Sequence, residues 1–496
     1  MSNEGGARPP IRANRELARG SVWMVAMRWA IRGIGLLSTV ILARLLAPDD
    51  FGVLAMAMVS VAIIEVFSQS GVDLALLRAQ SPTREHYDAA WTLEVIQGVV
   101  LAVLLFLSAP IAAGHFEDPR VTLVVQVLSL SALIGGFQNI GVVEFRRQLD
   151  FRKEFRFGVV RKFASFGVTI IAAVLMRSYW ALVVGQVFGR VVQVMISYRM
   201  SDFRPRLSVA RIGEIWGFSQ WLILSRFARL VNRQFDRWLV GTIGGAPAMG
   251  YYWVAQDLAT APSDEVIVPM SRAAFPVYSR LQDQPDALAD AFGRMFATVS
   301  LLSFAIGVGL GAVAENLVLV LLGEKWSPAI PLIPWLGWFG ALYALTHTLD
   351  IFLVATGRQR MSALLTLGYA VVTVPVLLAV AQQGGVEGIA AGKAFTAVAM
   401  VTLLAALGAR RPPLSLGLLW RCVWPSLVAA ALMLAAVKGL QHWLPLDGRV
   451  FGLLRDSAAG AFVYVAVVLS IWAMRGRPAG IEADALTAIR RKLARR

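Results

Sequence analysis

Apolar residues run along this chain in long blocks that neither alternate every second position nor break every few turns. Runs of spanning length fall near 21–44, 51–70, 89–113, 121–143, 157–176, 179–198, 214–240, 249–271, 288–312, 329–355, 361–382, 386–408, 419–440 and 452–474. A hydrocarbon core ~30 Å thick needs roughly 20 apolar residues per helix. The pattern therefore predicts an all-α integral membrane protein of about fourteen transmembrane helices. Turn-formers punctuate it at Ala47-Pro48-Asp49-Asp50, Gly244-Gly245-Ala246-Pro247, Gly384-Gly385 and Arg411-Pro412-Pro413.

The polar intervals assign an orientation. One side holds Arg84, then Arg146, Arg147, Arg152, Lys153 and Arg156, and then Arg199, Arg204, Arg206 and Arg211. It continues with Arg280, Arg358, Arg360, Arg410 and Arg411, and ends on a tail with Arg490, Arg491 and Lys492. The opposite side receives only Arg44, Arg120, Arg177, Lys325, Lys438 and Arg449. Short loops rich in Lys and Arg stay in the cytoplasm, so both termini are expected inside. Trp180, Trp253, Trp326, Trp420 and Trp443 stand near span ends, where an interfacial aromatic belt is expected.

A weak internal repeat sets Ser21-Val22-Trp23 on Ser219-Gln220-Trp221, Arg28 on Arg226 and Gly52 on Gly250, and a second offset sets Gly185 on Gly392. The repeat implies two six-helix lobes with two C-terminal helices appended, and a substrate path at the lobe interface. The expected division is a cytoplasmic N-terminus over 1–20, an N-lobe over 21–200, a C-lobe over 201–408, helices thirteen and fourteen over 409–474, and a basic tail over 475–496. The tail suits anionic headgroups, so membrane lipids are expected partners.

Composition agrees with lipid as the solvent: of 496 residues 57% are hydrophobic and only 16% charged. The net charge of +16 lies in loops rather than on an aromatic-lined polar groove, so no nucleic-acid partner is expected. One cysteine and four scattered histidines offer no metal site. The polar, basic opening residues read as a cytoplasmic lead-in rather than a cleaved signal peptide. Phosphate-cradling and nucleophile-elbow motifs are absent, so no cofactor, ATP hydrolysis or catalytic residue is expected.

Ionisable residues inside spans are the candidates for function, because a charge facing lipid costs several kcal/mol. Span one carries Arg28 and Arg32; span seven carries Arg226, Arg229, Arg233 and Arg237. At 3.6 residues per turn the last four share an arc of roughly 80°. Arginine never deprotonates and grips phosphate bidentately, so the ladder suits an anionic substrate, a pyrophosphate above all. The plainer reading is that Arg237 reaches the interface and that Asp236 or a structural pair neutralises Arg233. Glu65, Asp73, Asp257, Asp264, Glu265 and Asp350 are the acids available for ion coupling, or simply for pairing those arginines. Pro262 and Pro269 are expected to interrupt span eight around Asp264-Glu265. His347 reads as a helix-packing residue. Gly307, Gly309, Gly311, Gly388 and Gly392 read as close helix contacts.

The opening Arg19-Gly20-Ser21-Val22-Trp23 and the segment from Ile41 to Gly52 (ILARLLAPDDFG) resemble the polysaccharide flippases of the multidrug/oligosaccharidyl-lipid/polysaccharide exporter superfamily. The loop Glu144–Phe151 (EFRRQLDF) and the segment Phe275–Gln282 (FPVYSRLQ) share the resemblance. It covers most of the chain. It implies a V-shaped pair of lobes around a cationic cavity, in the bacterial cytoplasmic (inner) membrane. The implied activity is alternating-access transfer of an undecaprenyl-pyrophosphate-linked oligosaccharide to the outer leaflet for exopolysaccharide or O-antigen assembly. It also implies lumen arginines at Arg28 and Arg226, a lipid-tail groove on the last two spans, and a polysaccharide polymerase or export complex as partner. Two other readings stand beside it. A drug or cation antiporter of the same superfamily would be expected to have an acidic cavity. A membrane polymerase or ligase would need a larger outer loop than Ala314–Ser327 or Gln441–Arg449.

Overall fold

The computed structural model describes the backbone of residues 10–68, 72, 76–77, 82–210, 223–410, 414–445 and 448–476, and their side chains except at 10–22, 25, 67–68, 223–227, 261–264, 266–269 and 271–272. Where described, the chain is helical with no strand. An apolar segment in lipid can satisfy its own N–H and C=O groups only as a helix or a closed barrel, and this sequence has no period-two pattern for the latter.

The helices are α1 (Pro10–Leu45), α2 (Pro48–Ser68), α3 (Arg84–Phe116), α4 (Arg120–Gly136), the short α5 (Val143–Arg147), α6 (Phe151–Met176) and α7 (Trp180–Met200). They continue as α8 (Ile223–Arg280), α9 (Pro285–Ala312), the short α10 (Ala314–Leu321), α11 (Leu332–Ala355), α12 (Gln359–Gly408), α13 (Leu416–Trp443) and α14 (Arg449–Met474). Nine described helices are long and apolar enough to cross a membrane, ten if α4 and the bent segment after it (67°) count as one. The protein is an all-helical, multi-pass membrane protein. Leu107, Ile111, Leu175, Val371 and Phe462 are all more than 60% exposed, the outward apolar surface that a lipid-facing helix needs.

Two expected loops are single-residue kinks. α8 runs through Gly245 (φ 67°, ψ −170°) and α12 through Gly385 (φ 56°, ψ −140°), left-handed positions that favour glycine. The break between α1 and α2 at Leu46-Ala47, shifted as Ser21 onto Ser219, falls on Gly244-Gly245. The break at Arg177-Ser178, shifted as Gly185 onto Gly392, falls on Gly384-Gly385. The repeat read from letters is thus matched by the positions of the chain breaks. Pro262 and Pro269 do not interrupt the second arm of α8, whose backbone is helical from 246 to 280. A proline removes one hydrogen bond and bends a helix without ending it when the flanking residues stay helical.

The chain divides into two compact units, Met1–Leu230 with Gly245–Met249, and Val231–Gly244 with Gly250–Arg496. In the first unit the ILARLLAPDDFG segment makes a corner. Asp50 accepts hydrogen bonds from the backbone of Ala47 and Tyr179, each at 2.8 Å, and the Arg120 guanidinium bridges Asp49 (2.9 Å) and Asp118 (2.7 Å). Three turns are tied by two adjacent aspartates. At the other end the stretch after α7 is strapped to α3: Arg206 N–H donates to Asp88 and Ser208 N–H to Thr92, both at 2.8 Å. The second unit is centred on an aromatic cluster. Phe292 packs on Phe352 (4.7 Å), on Phe296 (5.2 Å) and on Tyr278 (6.1 Å), the tyrosine of the FPVYSRLQ segment. Trp326 does not join an interfacial belt as expected: it is fully buried against Tyr251, because the outer segment folds inward as a 3-10 turn, Glu324–Ala329. Trp420 and Trp443 are exposed, 62% and 80%, as the belt requires.

Candidate functional site

The expected arginines fall in both units. Arg28 and Arg32 are half-buried on α1, in the first unit with Arg229, while Arg233 belongs to the second. Arg229 and Arg233 are exposed side by side along α8, and the Arg226 side chain lies outside the described residues. Arg237 is held by its neighbours, its Nε donating to Gln256 at 2.6 Å. The acids are not gathered in one place. Glu65 lines a cavity of the first unit, whereas Asp257, Glu265 and Asp350 are half-buried in the second. Asp350 accepts from the Ser362 hydroxyl. Asp73 and the Asp264 side chain lie outside the described residues. His347 stacks on Tyr343 (ring centroids 6.2 Å, interplanar 9°), a packing contact. Among the described residues no group of three His, Cys, Asp or Glu could hold a metal ion.

The second unit holds a charge pair that sequence reading passed over. Asp236, on the first arm of α8, is 1% exposed and Lys393, on the second arm of α12, is 3% exposed; the ammonium donates to the carboxylate. Tyr252 O–H donates to the same oxygen at 2.6 Å, and the ammonium also stands 4.5 Å from the Phe339 ring centroid. Two buried charges are tolerable only when paired, and here all the partners gather on one carboxylate oxygen, Asp236 Oδ2. Asp236 had been weighed only as a neutraliser of the arginines beside it. The available signal was Lys393 itself, which is the only charged residue between Gly388 and Gly408.

The first unit carries a partly open cavity of about 490 Å³, lined by its own helices. α1 lines it with Met27 and Ile31. One position on is a turn of ~100°, which carries Arg28 and Arg32 off the wall. The cations that line it are Arg146 on α5, Arg161 on α6 and Arg190 on α7. Arg161 Nη1 and Arg190 Nη1 donate to one oxygen, Gln193 Oε1, at 3.0 and 3.2 Å. The Gln193 amide in turn donates to Gln138 Oε1, which fixes its oxygen toward the arginines. Like charges ~6 Å apart repel by ~3 kcal/mol at an effective dielectric constant of 20, and a neutral amide does not cancel that. Among the described residues no carboxylate is within 4 Å of either guanidinium. Glu65 and Glu94 line the same space, and Arg190 feels the charge of Glu65.

Comparison with known proteins places this geometry in context. A family profile described as polysaccharide biosynthesis protein matches residues 41–331. The chain is similar to the lipopolysaccharide biosynthesis protein WzxC of Escherichia coli (strain K12), 23% identical over 381 residues, 75% of this chain and 77% of that protein. It is also similar to the teichuronic acid biosynthesis protein TuaB of Bacillus subtilis (strain 168), 26% identical over 307 residues, 60% of this chain and 63% of that protein. Among solved structures, the lipid II flippase MurJ in an inward closed conformation superposes with a TM-score of 0.75 over 92% of this chain and 100% of that one, at 12% identity. An inward-facing multidrug transporter of the MATE family gives 0.63 over 78% and 98%, at 15% identity. These likenesses are of fold.

Proposed function

This chain belongs to the polysaccharide biosynthesis protein family, and from that premise we propose that it is a flippase for lipid-linked oligosaccharide. The cargo is an undecaprenyl-pyrophosphate-linked sugar repeat unit, moved from the inner to the outer leaflet of the bacterial cytoplasmic membrane for exopolysaccharide or O-antigen assembly. The chain is a transporter rather than an enzyme, working by alternating access, with a polymerase or export complex downstream. The names of the relatives, WzxC among them, and the flippase fold of MurJ support the reading.

The feature that carries it is fixed positive charge within the apolar runs read as spans one and seven, at Arg28 and Arg32 on α1 and at Arg229 and Arg233 on α8. A guanidinium at the bilayer centre costs ~2.5–3.5 kcal/mol on insertion scales, a cost kept where an anion is to be bound. Planar, permanently charged forks match a pyrophosphate. An organic-cation antiporter has no use for them. Arg226 joins this set by its register on α8. The acids Glu65, Asp73, Asp257, Asp264, Glu265 and Asp350 are the residues from which a coupling proton or cation is to be sought. Counting the bent α4 segment, α2 and both arms of α8 and of α12 as spans gives fourteen crossings, an even number that puts both termini on one side, the inside by loop charge.

In a deletion strain, Arg28→Ala or Arg226→Ala is expected to cut surface polysaccharide by ten-fold or more while the protein remains in the membrane. The deletion itself is expected to accumulate a completed, unpolymerised lipid-linked unit on the cytoplasmic leaflet. Full surface polysaccharide in both variants, or loss of synthesis of the unit itself, would overturn the reading.

A further inference from the structure

The cavity inside the first unit has a built polar wall that the α1 and α8 arginines do not share. Its two cations come from different helices, Arg161 from α6 and Arg190 from α7, and they converge on a single oxygen of Gln193 at 3.0 and 3.2 Å. Their Nη1 atoms are therefore no farther apart than the sum of those two distances. Gln193 is 8% exposed and its own N–H₂ is spent on Gln138, so it presents only an acceptor to the pair. Gln193 cancels neither charge, and the carboxylates that share the lining, Glu65, Glu94 and Glu154, balance the space as a whole without forming an ion pair with either fork. An uncharged amide oxygen holds the forks in place and leaves their charge facing the cavity. Elsewhere on the same lining an arginine is matched by a carboxylate: Arg146, half exposed, meets Glu154 at 2.7 Å.

Two pre-oriented guanidinium groups, held by a neutral amide and facing about 490 Å³ of space, make a receptor for an oxyanion whose charge is spread over several oxygens. A phosphate or pyrophosphate offers enough oxygens to engage both forks at once. We propose that this cavity is a second anion subsite of the transport path, with Arg161 and Arg190 binding the phosphate part of the lipid-linked cargo. Gln193 acts as the positioning residue for both. Glu65 and Glu94, on the opposite helices α2 and α3, supply the negative charge that balances the cavity when it is empty and favours release. Phe145 and Arg146, of the basic loop read as cytoplasmic, belong to its lining. This inference rests on the flippase reading for the identity of the cargo, but the anion site stands on its own geometry.

The test uses the full chain reconstituted in phosphatidylcholine nanodiscs, titrated with inorganic pyrophosphate by calorimetry. Wild type is expected to bind saturably. Arg161→Gln and Arg190→Gln are each expected to weaken binding at least ten-fold, and Gln193→Leu several-fold, with unchanged thermal melting. Arg161→Lys and Arg190→Lys guard against misfolding: they keep the charge, lose the fork, and are expected to be intermediate. Equal affinity in wild type and both glutamine variants, or no saturable binding by well-folded wild type, overturns the subsite. Competition then separates the two sources of the phosphate. Displacement by a short-chain prenyl pyrophosphate but not by phosphatidylglycerol supports the cargo; equal displacement by phosphatidylglycerol overturns that assignment in favour of a membrane lipid. A wild type that binds pyrophosphate here yet moves no lipid-linked sugar in proteoliposomes would sink the flippase reading and leave the anion site intact.

Discussion

Residue by residue, charge is placed where a partner stands ready. Lys393 and Asp236 are the extreme case: each is buried, and each would be an uncompensated charge without the other. Asp236→Ala is expected to destabilise the protein by ~3–5 kcal/mol, since it strands the ammonium. The double replacement Asp236→Leu with Lys393→Met is expected to recover most of that loss, because apolar side chains of similar size remove both desolvation costs. Thermal melting of the three proteins in one detergent would decide it; a double variant no better than the single one would show that the pair does more than balance charge. Outside the membrane, Asp118 offers a pH test. Burial pushes its carboxyl up, but hydrogen bonds from the Arg120 side chain and backbone, with the Arg120 charge, hold it below its ordinary value. A carboxyl depressed in the folded state stabilises above its unfolded value of ~3.9 and loses that contribution as pH falls through the lower folded value. Acidification through and below pH ~4 is therefore expected to loosen the corner formed by Asp49, Asp50, Arg120 and Tyr179. Protection factors at the Ala47 and Tyr179 amides, exchange rates corrected for their intrinsic pH dependence, should fall there and stay flat between pH 6 and 8.

Between elements, approach distance decides which residues are tolerated. α9 and α11 meet glycine to glycine: a Cβ on Gly307 would stand 2.3 Å from the Gly337 carbonyl oxygen, and the converse distance is the same. Small residues let backbones close in where lipid gives helices no hydrophobic reason to associate. Gly307→Val is expected to cost ~1–3 kcal/mol by forcing these helices apart. The adjacent Gly309→Ala, which meets only Met433 at 3.7 Å, should be near neutral. Equal melting temperatures for the two variants would refute this packing. The kinks at Gly245 and Gly385 follow the same logic of local geometry, since each lets one helix turn back without a loop.

Over the whole molecule, the expected topology places the turn before α9 inside and the Glu324–Ala329 turn outside. Because Cys422 is the single cysteine, a Cys422→Ser background is clean for labelling. Gln284→Cys should react with an impermeant maleimide only from the cytoplasmic face, and Glu324→Cys only from the outer face. The reverse pattern would invert the assignment made from loop charge.

Much of this was legible in the letters, because membrane insertion is read locally. Apolar run length determined the all-helical multi-pass fold, and the loop arginines supplied an expected orientation. The chain breaks at Gly245 and Gly385 sit where the weak repeat required them. Arg28 and Glu65 were visible as charges inside apolar runs. What a buried charge faces is a different matter, settled by helices far apart in sequence. Asp236 and Lys393 are separated by 157 positions, and Arg161 and Gln193 by 32. No periodicity on one helix reports the rotation of another, so only the tertiary structure could show that Met27 and Ile31, not Arg28 and Arg32, line the first unit's cavity, and that Arg161 and Arg190 supply its charge.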